Sequence, residues 1–188
     1  RKAEQALGIS RAGDDADATS AALVCVAYSH YYLGHHARAR SLAQDALAVG
    51  AVRTEAQADA LRILGDCAHE TGDLSAAERF YQRAIDLGRQ IAYHYVIHRC
   101  LHSLSSCVYI PRGQFELALA SDEESLRLAI ALDMTDDVWF PLATKGWVYW
   151  ITGQRKRALA VADEMRRFAP PGSLARGYWY CLCGDLAQ

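Results

Sequence analysis

Much is missing from this sequence, and each absence closes a class of function. No apolar run approaches the roughly 20 residues needed to cross a bilayer, and no secretory leader is visible. Neither sign of charge is in excess: 20 Lys and Arg face 22 Asp and Glu, a formal net charge of -2. That balance excludes the concentrated positive surface of a nucleic-acid binder. There is no G-x-x-x-x-G-K-[ST], so no phosphate loop. There is no H-E-x-x-H, and no activated Ser or Cys is placed beside Asp66 and His69, so an enzyme is not the expectation. None of the six cysteines forms a C-x-x-C. Cys181 and Cys183, two apart, fall on opposite sides of a helix and make a poor metal pair. The cysteines read as free thiols buried in helices, which fits a reducing cytoplasm.

What is present is a sentence of small and large residues repeated along the chain. Its clearest copy runs Leu61-x2-Leu64-Gly65-x2-Ala68, then Ala77-x3-Tyr81-x2-Ala84, with Gly72-Asp73 between. Apolar residues three and four apart predict two amphipathic helices, and the glycine predicts the turn joining them. Thr54 with Gln57 is a capping box, and Asp73 caps the second helix. An earlier copy reads Leu23-x2-Val26-Ala27-x2-His30, Gly34, Ala39-x3-Ala43-x2-Ala46. A later one reads Leu142-x2-Lys145-Gly146-x2-Tyr149, Gly153, Ala158-x3-Ala162-x2-Met165, then Pro170. Lys145, at a core-type position, is expected to snorkel to solvent.

The third copy is irregular. Leu104-Ser105-Ser106-Cys107 aligns on Leu64-Gly65-Asp66-Cys67, and Ala118 aligns on Ala77. One extra residue is expected in the turn around Pro111. Asp122 takes the place of Tyr81. An unpaired buried carboxylate is costly, so this helix is expected to pack loosely and leave Asp122 wet. Residues 1–10 read as the second helix of a preceding unit, and Leu174 to Cys183 as the first helix of a fifth. The chain opens Arg1-Lys2-Ala3 and ends inside the pattern, so it reads as a piece of a longer protein whose exposed end helices invite self-association.

The pattern resembles the tetratricopeptide repeat, W-x2-L-G-x2-Y then A-x3-F and a late Pro. Leu61 stands for the Trp, Ala68 for the Tyr and Tyr81 for the Phe. The resemblance implies an all-α, right-handed superhelix of antiparallel helix pairs in one domain, with about four full repeats and a partial one at each end. The turn glycines are 38, 41 and 40 residues apart, against an ordinary repeat of about 34. Together with the run Glu123-Glu124-Ser125-Leu126-Arg127-Leu128-Ala129 before an acidic loop at 133–137, that lengthening is similar to the repeat region of MalT-like bacterial signal-transducing ATPases. These include LuxR-type transcription activators. The implied role is a sensor or coupling region with no catalysis and no cofactor. The alternative is a free-standing scaffold that holds a peptide of a partner protein.

In that family the first helix of each pair lines a concave binding surface. Carried onto this sequence, the inward set is Val24, Tyr28, Tyr31 and Tyr32; Arg62, Asp66, His69 and Glu70; His102, Ser106 and Tyr109 with Arg99 at the entrance; Ala143, Trp147, Trp150 and Ile151; and Tyr178. Aromatics flank a middle section of Arg, Asp, His and Ser. Such a set suits a peptide segment, a partner protein or a small polar effector with flat surfaces. His94, His98 and His102 share a helix face at spacing four, but no carboxylate sits at ligand spacing, so no metal is assigned. Arg155, Lys156, Arg157, Arg166 and Arg167 form a solvated outer face.

Overall fold

The computed structural model describes residues 5, 8, 15–49, 54–134 and 137–168. Among them are eight α-helices and no strand. In chain order these are α1 Ala16–Tyr32, α2 His36–Val49, α3 Glu55–Glu70, α4 Leu74–Gln90, α5 His94–Ser103, α6 Phe115–Ala131, α7 Trp139–Ile151 and α8 Arg155–Phe168; a π-helical segment, Leu104–Tyr109, follows α5. The chain divides into two compact units, residues 1–100 and 101–188. In the first, α1 packs on α2, α3 on α4, and α3 also on both α1 and α2. In the second, the π segment packs on α6, α6 on α7, and α7 on α8. This is an all-α helical repeat.

The turns show why the repeat has its period. Gly34, Gly72, Gly113 and Gly153 all have φ near +70° to +77°. A Cβ added at any of the four would meet nothing within 4 Å, so the glycine is there for backbone handedness, not for space. Each turn closes with the same two bonds. At Gly72 the amide donates to the His69 carbonyl at 2.8 Å and the Asp73 amide to the Ala68 carbonyl at 3.0 Å. The corresponding pairs recur at Gly34, Gly113 and Gly153. These are Schellman ends, which satisfy carbonyls the helix leaves open. The following helices are capped as the sequence suggests: Thr54 Oγ1 accepts from the Gln57 amide at 3.3 Å and Asp73 Oδ1 from the Ala76 amide at 2.9 Å.

Burial separates the two members of a pair. In α4 the buried residues are Ala77, Tyr81, Ala84, Ile85 and Gly88, a single stripe. In α3 the whole run from Ala60 to Cys67 is buried, because α3 has neighbours on three sides. Polar residues on α3 therefore sit inside the protein and need partners there. Where α3 and α4 cross, a Cβ on Gly65 would lie 2.5 Å from Cε1 of Tyr81. Tyr81 is fully buried, and its hydroxyl donates to Asp66 Oδ1 at 2.8 Å.

The third repeat corrects two expectations. Its extra residue is not in the turn: the Gly113 turn is built like the others, and the insertion is taken up by the π segment, where the Ile110 amide reaches back five residues to the Ser105 carbonyl at 3.0 Å. Asp122 is not wet. It is 0% exposed and accepts from the Ser105 hydroxyl at 2.6 Å, with His102 Nδ1 at 3.5 Å. The aligned pair Gly65 and Tyr81 has become Ser105 and Asp122, so a steric fit is replaced by a hydrogen bond at the same crossing. In the fourth repeat the Lys145 stem is covered, its side chain 12% exposed, and Nζ reaches the half-exposed Glu123 carboxylate, 2.6 Å from Oε2. Cys67 and Cys100 are buried free thiols as expected, but Cys25 is exposed and Cys107 half-buried. The expected helix at Leu174 to Cys183 and Pro170 lie outside the described residues.

Candidate functional site

The first unit gathers polar and aromatic groups along α3 where α1 packs on it. Asp59, Arg62 and Asp66 are three and four residues apart and share one side of the helix. Arg62 is 5% exposed and lies between the two carboxylates: Nε is 3.7 Å from Asp59 Oδ1, and Nη1 is 3.4 Å from Asp66 Oδ2. Its guanidinium also covers the Tyr28 ring, 4.6 Å from the centroid, a cation–π contact. Asp59 is held from two sides. The Tyr28 hydroxyl on α1 donates to Oδ1 at 3.4 Å, and the Tyr93 hydroxyl, just before α5, donates to Oδ2 at 3.1 Å.

Electrostatics follow from that enclosure. Burial pushes the Asp59 carboxyl up to about 6; the Tyr93 hydrogen bond opposes this and nearby Glu55 adds to it. Burial likewise raises Asp66, against the pull of Arg62, the Tyr81 hydroxyl, Arg99 and His69. Further along, the Tyr31 hydroxyl donates to Glu70 Oε1 at 3.2 Å. Tyr31 stacks edge-on with Tyr32 at 5.5 Å, and Tyr28 with Tyr32 at 6.3 Å. Tyr32 itself is exposed, while Tyr28, Tyr31, Asp59, His69, Tyr93 and Arg99 are half-buried.

The second unit has a smaller polar knot. His102 Nδ1 faces Asp122 Oδ1 and the Thr144 hydroxyl, each at 3.5 Å, and its ring lies 5.5 Å from Phe140. Burial raises the Asp122 carboxyl; hydrogen bonding and charge from His102, the Ser105 hydroxyl and Lys145 pull it back. The Ser105 hydroxyl bonds the Asp122 carboxylate, and the Thr144 hydroxyl is the one beside the imidazole. Tyr109 lies half-buried in the π segment. Trp147 is 46% exposed. Trp150 packs against the core of α7 and α8, with the Arg155 guanidinium 5.3 Å over its ring.

The sequence-derived set is therefore divided. Tyr28, Tyr31, Arg62, Asp66, His69 and Arg99 all belong to the first unit, and His102, Tyr109, Trp147 and Trp150 to the second. Tyr178 lies outside the described residues. Arg62 and Asp66, at 5% and 9% exposure, are not the accessible groups expected of them; they are the buried support under Tyr28 and Tyr81. His98 is fully buried and His94 exposed, so these two histidines do not share an environment. Asp59 and Tyr93 were missed. The signal for Asp59 was present, since it falls three residues before Arg62 on the same stripe. Tyr93 carries no repeat signature and is placed by the fold.

No protein-family model matches the chain, and no curated protein matches it. Among solved structures it is similar to BtubC (BKLC) from P. vanneervenii, with a TM-score of 0.76 at 18% sequence identity, over 99% of this chain and 83% of that one. At that identity the likeness is one of fold alone.

Proposed function

We propose that this chain is a non-catalytic recognition module of the tetratricopeptide type that binds a peptide segment of a partner protein through the first helices of its pairs. Within that reading, the long spacing of the turns favours the sensor or coupling region of a MalT-like regulator. One observation carries the proposal. Helix α3, enclosed on three sides, spends Asp59, Arg62 and Asp66 where an apolar helix would pack more simply. The cost of burying them is offset by bonds to Tyr28, Tyr81 and Tyr93, and Tyr28, Asp59 and Tyr93 stay half-buried there, as do Tyr31 and His69. Aromatic faces with fixed hydrogen-bond groups beside them are what an extended peptide requires.

The test is selection of random 12-residue peptides, displayed on phage, against the immobilised chain. Tyr31→Ala and His69→Ala, both on half-buried side chains, should weaken a selected peptide at least tenfold with unchanged helical circular dichroism. Failure to enrich any sequence, or equal binding by both variants, would count against the reading.

A further inference from the structure

On the far side of α3 from Arg62, the first unit has a cleft of about 430 Å³ where α2, α3 and α4 converge. With 3.6 residues per turn, Gln57 and Leu61, which line it, lie about 160° round α3 from Asp59. The cleft and the polar network therefore take opposite sides of that helix. The floor of the cleft is apolar: Leu61 is 4% exposed, and Leu47 and Leu87 are half-buried beside it. Its size falls in the range of small-molecule sites, roughly 300–1,000 Å³.

The rim carries two opposite charges that do not pair. Arg83 and Asp86 are three apart on α4, and both are exposed at the cleft. Side chains at that spacing are neighbours on a helix surface. Yet among the described residues Arg83 makes no ion pair and no hydrogen bond. Asp86 is held by Gln82 instead, whose Nε2 donates to Oδ1 at 3.1 Å. A carboxylate can accept further bonds, and Oδ2 takes none among the described residues. Gln57 and Gln90 add primary amides to the lining, which both donate and accept and so suit either charge. A lone anion would meet Asp86 and a lone cation would meet Arg83. A wholly apolar body would cover both charges and satisfy neither. A molecule that carries both charges beside an apolar body meets each with its opposite.

We propose that this cleft binds a free α-amino acid with an apolar side chain. The Arg83 guanidinium takes the carboxylate in a charge-assisted bond, and Asp86 takes the ammonium. The ligand's side chain lies on Leu47, Leu61 and Leu87. The two charges of an α-amino acid sit on one carbon, which matches partners one helical turn apart. This site is separate from the peptide face proposed above and does not rest on it.

The test follows the backbone amide shifts of the full chain in NMR, titrated with L-leucine and with L-phenylalanine. Each control removes one feature: glycine lacks the apolar body, 4-methylpentanoate the ammonium and 3-methylbutylamine the carboxylate. At least one of the two amino acids should shift amides at 47, 57–61 and 83–90, and every control should bind at least tenfold more weakly. Arg83→Gln and Asp86→Asn should each weaken that amino acid at least fivefold. Both side chains are exposed, so helical circular dichroism should stay unchanged. No shift at these amides, a control that binds as well as the amino acid, or unaltered binding by either variant overturns the site.

Discussion

Asp59 is the residue on which the chemistry of the first unit turns, and its titration is measurable. The carboxyl is raised from 3.8 to about 6 in the folded protein, so the native state holds the proton more tightly than the unfolded chain does. Its contribution is fully present below about pH 4 and is lost as pH rises to about 6, the opposite of a salt-bridged aspartate. A shift of about two units corresponds to roughly 3 kcal/mol at most. Urea unfolding from pH 4 to 7 should show the parent losing up to about 3 kcal/mol relative to Asp59→Asn across that window, with a flat difference above it. A difference that is constant with pH would mean the carboxyl titrates normally. Little of this could be read beforehand. The repeat pattern places Asp59 on the stripe of Arg62 and Asp66, but repeat notation records only the packing residues. Burial raises its pKa, and the hydroxyls that bond it come from Tyr28, 31 residues earlier, and Tyr93, 34 residues later.

Helices and turns were far more legible, because their causes are local. A glycine with positive φ, an aspartate or threonine cap and small residues at fixed offsets each act within a few residues, so the hairpins at Gly34, Gly72 and Gly153 fall where the pattern puts them. The third pair was misread for the same reason. An inserted residue leaves the offsets on either side intact, and nothing in the letters distinguishes a longer turn from a π-helical bulge. Asp122 was misread because its partner, Ser105, lies on the other helix of the pair. Gly65 gives the element-scale prediction. Alanine would gain about 1 kcal/mol of helix propensity, but its Cβ would lie 2.5 Å from a fully buried ring. Overpacking of that kind costs about 1–3 kcal/mol, so Gly65→Ala should gain nothing and lower stability by up to about 2 kcal/mol on balance. Adding Gly65→Ala to a Tyr81→Leu background should cost much less, because the ring is gone. Equal costs in both backgrounds would place the close approach elsewhere.

At the scale of the molecule, the sequence carries packing instructions for an all-α repeat and few for what it binds. The fold follows from the repeated small-large pattern and agrees with the likeness to BtubC at 18% identity, where few individual residues are shared. The ligand side is different: the second unit places Ser105 and Asp122 at a crossing where the first has Gly65 and Tyr81, so even equivalent positions within one chain diverge in chemistry. The central claim is that first helices, not second ones, receive a peptide. It is tested most directly by amide hydrogen exchange on the full chain with and without a phage-selected peptide. The account predicts slowed exchange in residues 24–32, 55–70 and 93–99, with α2 and α4 unchanged. Protection confined to α2 and α4 would contradict it.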